Sequence, residues 1–147
     1  MKRLLTLFVV LLVTVPLMGQ KKITFQVGAD ASADLFLSTN NRILPSFGVG
    51  VRGRLGGHDQ WVNLIGGLRF IYGQRLQGFQ IPIMLNVNLL KGEKLSGYLG
   101  AGYEFDFIGT YWGCMKFQAG VALKHMDFRL FYKPYQGDPG IGFTYYF

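Results

Sequence analysis

Apolar and polar side chains alternate along most of the chain after residue 20. From Phe79 to Leu89 every second residue is apolar, whereas Gln80, Asn86 and Asn88 stand between them. A period of two residues sends side chains to opposite faces of a β-strand. This period recurs between short polar segments, so the sequence predicts eight strands. They cover about residues 23–33 (able to extend to 37), 46–55, 61–72, 79–90, 95–107, 114–124, 128–133 and 140–147.

The two faces of these strands differ in chemistry. One series is apolar and ends in aromatic residues, whereas the other carries charged residues in mid-strand together with many of the 21 glycines. Parity alone does not say which series lies inside, and a soluble barrel would enclose the apolar one. We assign the apolar series to lipid, because a water-exposed surface built from it would aggregate. Aromatic residues expected at the membrane interfaces are Tyr72, Phe79, Phe107 and Tyr132 at one level and Phe128 and Phe147 at the other.

These patterns predict an all-β fold, namely a closed, antiparallel, up-and-down transmembrane β-barrel of eight strands. The sheet must close because unpaired backbone amides are costly in hydrocarbon. Eight is the smallest strand number of single-chain outer-membrane barrels, and at that size side chains fill the interior. Apolar residues expected to point inward are Ile65, Ile71, Pro82, Met84 and Tyr98.

The first 19 residues have the pattern of a secretory signal peptide. A basic start precedes an apolar run from Leu4 to Val15, and Gly19 stands immediately before Gln20, where cleavage is expected. The run is shorter than the roughly 20 apolar residues of a membrane-spanning helix. Residues 20–147 are therefore expected to form one barrel domain.

Composition excludes several kinds of site. Without Lys2 and Arg3 the chain has 13 basic and 8 acidic residues, a scattered excess that does not favour nucleic-acid binding. The single cysteine, Cys114, excludes an internal disulfide and a cysteine-based zinc cluster. His58 and His125 fall in predicted turns with no neighbouring serine, so no catalytic site, metal or cofactor is expected and the protein is not predicted to be an enzyme.

Three segments carry a resemblance to a known family. They are "GFQIPIMLNVNLL" from Gly78 to Leu90, "GYLGAGYEFDF" over residues 97–107, and the closing "GIGFTYYF". Together they resemble the small outer membrane beta-barrel domain family that includes PorT-like proteins and, more distantly, the eight-stranded OmpA/OmpX class. The resemblance spans most of residues 20–147 and implies a barrel in the outer membrane. It implies no shared catalytic motif.

The last strand places aromatic residues on one face up to the final residue. Phe143, Tyr145 and Phe147 share that face with Ile141. This arrangement resembles the signal by which Gram-negative outer-membrane barrels are recognised for assembly. The expected partners are therefore outer-membrane lipids and the barrel-assembly machinery, and the protein is expected to be a monomer located in the cell outer membrane.

The inward charges separate into two groups if both ends of the barrel chain are periplasmic. The group expected in the outer half of the lumen comprises Asp30, Asp34, Arg69, Glu104, Asp106, Lys116 and Lys133. We expect these residues to form an ion-pair network that fills the mouth, with a gate or narrow ion path as the alternative.

A second group of inward charges lies near the periplasmic end and is basic. It comprises Arg52, Arg54, Lys124 and Arg129. Only predicted turn residues such as Asp59, Glu93 and Asp127 offer opposite charge, so this end is expected to be electropositive. It could bind phosphate or carboxylate groups of periplasmic partners, or it could simply be solvated or contact lipid headgroups.

The function expected from these observations is that of a non-enzymatic outer-membrane barrel with a structural or surface-interaction role. Residues 34–45, 108–113 and 134–139 would lie at the cell exterior. A small pore or transport protein is one alternative. An exported soluble barrel that binds an apolar ligand is the other.

Overall fold

The chain forms a closed antiparallel barrel of eight strands in a computed structural model that describes residues 24–37, 43–73, 77–107 and 113–147. Each strand pairs with the next, and β1 also pairs with β8. The strands are β1 (Phe25–Leu37), β2 (Ile43–Leu55), β3 (Val62–Gly73), β4 (Gln77–Lys91), β5 (Leu95–Phe107), β6 (Cys114–Leu123), β7 (Met126–Lys133) and β8 (Asp138–Tyr146). The predicted all-β class, strand number and up-and-down order are confirmed. No helix among the described residues is long and apolar enough to cross a membrane.

Several strand boundaries differ from the prediction. The segment expected as an exterior loop from residue 34 to 45 is largely strand, because β1 and β2 pair from Asp34 opposite Ser46 up to Leu37 opposite Ile43. The turn before β7 is also shorter than predicted, so Asp127 lies within a strand. In the last connection, β8 begins at Asp138. The predicted signal peptide and most of residues 108–113 lie outside the described residues.

Side chains alternate between the lumen and the outer surface, as the period of two predicts. In β7, Arg129 and Phe131 are buried, whereas Phe128, Leu130 and Tyr132 are exposed. The charged series is the inward one throughout the described strands. The outer face instead exposes large apolar side chains, including Phe47, Val49, Val51, Leu99, Leu130 and Ile141. The burial of Ile65, Ile71, Pro82, Met84 and Tyr98 confirms that these residues point inward.

The first and last strands close the barrel. Their pairing runs from Gly28 opposite Tyr146 to Asp34 opposite Gly140. Beyond it, the Phe147 amide donates a hydrogen bond of 2.9 Å to the Val27 carbonyl oxygen. The sheet therefore leaves no long unpaired edge at this seam, which is the condition for placing a sheet in hydrocarbon. We call the end where β1 begins and β8 ends the terminal end of the barrel.

One proline interrupts the ladder between β3 and β4. The pairing passes from Gly66 opposite Ile83 directly to Arg69 opposite Gln80, and Pro82 lies within this gap. Proline has no amide hydrogen to donate to a neighbouring strand. On its other side, Pro82 remains paired opposite Glu104 of β5. The interruption is therefore local and does not open the barrel.

Candidate functional site: the charged lumen

The lumen is lined by charged side chains of both signs in equal number. Six buried carboxylate side chains face six buried cationic ones among the described residues. The acidic residues are Asp30, Asp34, Glu104, Asp106, Asp127 and Asp138, and the basic residues are Arg52, Arg54, Arg69, Lys116, Arg129 and Lys133. Buried charges are costly unless they are paired and hydrogen-bonded. The arrangement of the pairs therefore decides what the lumen can do.

Glu104 is the centre of the network in the half of the lumen away from the terminal end. Its Oε2 accepts hydrogen bonds from Arg69 at 2.8 Å and from Lys116 at 2.7 Å. Its Oε1 lies 2.7 Å from the Lys133 ammonium, which also donates to Asp34 at 2.8 Å. We call these five residues the Glu104 cluster. They come from strands β1, β3, β5, β6 and β7, so the contacts cross the lumen.

Two residues predicted for this network lie apart from it. Asp30 makes its ion pairs with Arg129 at 2.6 Å and with Arg52 at 3.8 Å, and not with the cations of the Glu104 cluster. Asp106 is buried, but it makes no ion pair within 4.0 Å with a described residue. Its Oδ2 accepts a long hydrogen bond of 3.5 Å from the Gln136 side-chain amide nitrogen.

Asp106 also belongs to a trio of possible metal ligands. The ligand atoms of Glu104, Asp106 and Cys114 lie within 4.8 Å of one another. Both Glu104 oxygens are already held by cationic side chains, including the ammonium groups of Lys116 and Lys133. These positive charges oppose the binding of a metal cation at the same place. The trio therefore does not make a convincing metal site.

A second cluster surrounds Asp30. Its Oδ1 accepts hydrogen bonds from Arg129 and from Thr144, both at 2.6 Å, and lies 3.8 Å from Arg52. Arg129 is also 3.7 Å from Asp127. We call Asp30, Asp127, Arg52 and Arg129 the Asp30 cluster. The expectation that only turn residues oppose the basic group is wrong, because these two carboxylates are buried in strands.

Arg54 lies beyond the Asp30 cluster towards the terminal end. Its guanidinium donates to the Gln26 side-chain oxygen and, at 3.2 Å, to the backbone oxygen of Lys124. It also packs 4.1 Å from the centre of the Tyr146 ring. The Lys124 side chain is exposed, so its predicted inward position is wrong and only its backbone takes part. The sequence analysis did not predict a role for Tyr146. Its position next to the outward Tyr145 was the signal that its side chain points inward.

A phenylalanine lies among the cations of the Glu104 cluster. The Phe131 ring centre is 3.8 Å from the Lys116 ammonium and 5.9 Å from that of Lys133. A cation over an aromatic face is stabilised by the ring's electron density, most strongly where water is excluded. The inward parity of Phe131, between Arg129 and Lys133, was the signal in the sequence for this contact.

The two histidines lie in turns at the terminal end and bind backbone carbonyl oxygens there. The His58 ring donates to the Glu93 carbonyl oxygen at 2.9 Å, and the His125 ring donates to that of Tyr146 at 3.2 Å. Each ring nitrogen must carry the proton because a carbonyl oxygen only accepts. Both positions agree with the predicted turns.

The residues predicted as the assembly signal share the outer face of the last strand. The Phe143 ring centre lies 4.8 Å from that of Phe128 on β7. The rings of Tyr145 and Phe147 are 5.9 Å apart, and the Phe147 side chain is exposed. The outer surface of the closing strand is therefore aromatic from Phe143 to the last residue.

Comparison with known proteins identifies the fold. The chain is similar to a solved chain described as "De novo design of transmembrane beta-barrels", with a TM-score of 0.51 and 14% identity over 82% of this chain and 95% of that one. At this identity the likeness shows the barrel fold alone. No protein-family model matches the chain. No curated protein matches it either, so the resemblance to PorT-like and OmpA/OmpX proteins stays a prediction.

Proposed function

We propose that the protein is an integral outer-membrane barrel whose lumen is filled by its own polar side chains. The observation that carries this proposal is the distribution of side chains across the wall. Val49 and Leu130 are 62% and 64% exposed on the outer face, whereas Arg69 and Glu104 are 2% and 0% exposed inside. A barrel in water would bury its apolar side chains and expose its charged ones, whereas a barrel in a bilayer exposes apolar side chains to lipid.

The contents of the lumen favour a structural or surface-interaction role over transport. Glu104 on β5 binds side chains of β3, β6 and β7, so the network extends across the interior. A barrel of eight strands has room for its inward side chains and for one small ligand at most. The charged lining also gives little support to an exported soluble barrel that holds an apolar ligand inside. We infer no catalytic role.

The ends of the sequence support an outer-membrane location and a route to it. The signal-like pattern of residues 1–19 would direct export, and the aromatic outer face ending at Phe147 would engage the barrel-assembly machinery. Lipids then cover the exposed apolar face, and a monomer suffices because the barrel closes on itself.

Fractionation followed by heat modifiability tests this proposal. The outer-membrane fraction is run on a detergent gel with and without boiling. We expect an unboiled band that migrates faster and shifts on heating, as a folded barrel resists detergent. Recovery only from the soluble periplasm, with no shift, would overturn the proposal.

A matched pair of outer-face variants tests which side meets lipid. Val49→Arg places a charge in the middle of β2, whereas Leu95→Arg places it at the first residue of β5. A charge at the midplane costs about 2–4 kcal/mol, and one near the interface about 0–1. We expect Val49→Arg to reduce folding into lipid vesicles much more than Leu95→Arg. Equal yields would contradict the lipid-facing assignment.

A further inference from the structure

The lumen near the terminal end contains more positive than negative side chains. Three buried guanidinium groups, those of Arg52, Arg54 and Arg129, accompany the two carboxylates of Asp30 and Asp127. The described lumen as a whole has equal numbers of positive and negative side chains, but this end of it does not. One positive charge is left without a buried counterpart at this end.

Arg52 is the least well paired of the three. Its closest carboxylate oxygen within the described residues belongs to Asp30, at 3.8 Å, and that same oxygen already accepts from Arg129 and Thr144 at 2.6 Å. Its one hydrogen bond, to the Gln118 side-chain oxygen, is 3.4 Å long. Arg52 is only 4% exposed. A guanidinium this buried is expected to hold a closer acceptor.

Unused donors occur on neighbouring side chains as well. Buried atoms without a hydrogen-bond partner among the described residues include the Arg52 Nε, the Arg54 Nη1, the Arg129 Nε and the Tyr146 hydroxyl oxygen. Arg52 and Arg54 are two residues apart on the inward face of β2, and Arg54 packs on the Tyr146 ring. All four side chains are at least nine-tenths buried. The unused groups are donors of one connected cluster.

We propose that this cluster binds one small monovalent carboxylate inside the lumen, between Arg52 and Arg54. A carboxylate supplies acceptor oxygens for two guanidinium groups, which bind it through charge-assisted hydrogen bonds. Its single negative charge neutralises the excess at this end. The inference goes beyond the proposed function. It requires only the folded, closed barrel, which can be tested in a detergent micelle without a membrane.

Equilibrium dialysis of radiolabelled formate against the refolded full chain in neutral detergent tests the site. Constant ionic strength removes general salt effects. We expect saturable binding of one formate per chain, weakened at least about tenfold by Arg52→Gln, because a charged hydrogen bond of this kind is lost. Lys124→Gln removes the same charge from an exposed side chain and should bind like the wild type.

Folding of each variant is checked by heat modifiability, so loss of the site is distinguished from loss of the barrel. If Arg52→Gln does not fold, Arg54→Gln takes its place. The number of formate ions bound per wild-type chain still tests whether the site exists. Absence of saturable binding would overturn the inference. Equal weakening by Lys124→Gln would also overturn it. Neither result would affect the proposed membrane location.

Discussion

At the scale of single residues, Glu104 explains how charges are accommodated in so narrow a barrel. It is completely buried and lies within 2.8 Å of three cationic groups, those of Arg69, Lys116 and Lys133. Burying each of these ions alone would be costly, and only their close pairing offsets the loss of water. The carboxylate therefore holds together side chains from three other strands.

Removing this one charge should destabilise the barrel strongly. Glu104→Gln keeps the shape of the side chain but leaves three buried cations with Asp34 as the remaining carboxylate of the cluster. We expect a loss of about 3–5 kcal/mol in the free energy of unfolding, the range found when one partner of a buried pair is removed. Urea unfolding in detergent micelles measures it.

Glu93→Gln is the control for that experiment. Glu93 lies in the exposed turn between β4 and β5, and its side chain takes part in no ion pair within 4.0 Å with a described residue. We expect its unfolding curve to match the wild type. A Glu104→Gln protein that unfolds at the wild-type urea concentration would show that the cluster does not stabilise the fold.

At the scale of the strands, some glycines permit neighbouring backbones to approach closely. A Cβ atom at Gly102 of β5 would lie 2.0 Å from the Ile83 carbonyl oxygen on β4, a contact that only backbone movement could relieve. At Gly66 of β3, by contrast, nothing lies within 4 Å of such an atom. Only the first of these positions requires glycine for steric reasons.

This difference gives a matched pair of substitutions. Gly102→Ala should push β4 and β5 apart and lower the fraction of chains that refold, whereas Gly66→Ala should refold as the wild type does. The unboiled fast-migrating band on a detergent gel reports the folded fraction. If both variants refold equally, the close approach of β5 to β4 is not a constraint on the fold.

The outer face of β8 carries a separate prediction about assembly in cells. Phe143→Ala with Phe147→Ala removes two aromatic side chains from the closing strand but leaves its backbone pairing with β1 and β7 intact. We expect less protein in the outer membrane, because the apolar terminal pattern that the assembly machinery would bind is lost. Quantitative blotting of membrane fractions measures the amount.

Tyr135→Ala is the control for this effect. Tyr135 is an exposed aromatic residue in the turn between β7 and β8, at the opposite end from Phe147. It should assemble normally. Normal amounts of the doubly substituted protein in the outer membrane would count against a role of these aromatics in recognition.

At the scale of the whole molecule, the backbone closes the ring of strands and the charged side chains fill the lumen. The β1–β8 seam completes the ring of strands. Inside it, the Glu104 cluster and the Asp30 cluster place ion pairs at two levels between the ends. A lumen blocked in this way should resist the passage of ions despite its polar lining.

Planar-bilayer recording tests this closure. We expect no steady unitary current from the wild-type protein after insertion. Heat modifiability of the recovered protein verifies that the barrel is folded. A steady current that disappears when Arg69 and Glu104 are replaced would contradict the blocked lumen. That result would favour the pore alternative and place the ion path through the Glu104 cluster.

The sequence alone determined the class of fold and which residues of each strand share a face. Alternation is a local property of a strand, so it separated the series of Arg69 from the series of Leu99 without any partner. The charges of the first series and the apolar character of the second then identified the inner face. The same parity extended by two residues from Arg129 would also have placed Asp127 inside. That error came from the turn length, which local pattern specifies least well.

Only the tertiary structure decided which charges meet. Asp30 and Arg129 are 99 residues apart in the chain and come within hydrogen-bonding distance because β1, β8 and β7 lie side by side across the seam. The level of each residue depends on the register between strands around the closed ring. Parity is unaffected when a strand slides by two residues, whereas every cross-lumen partner changes. The alternating pattern therefore specifies the faces, and the closed barrel specifies the pairs.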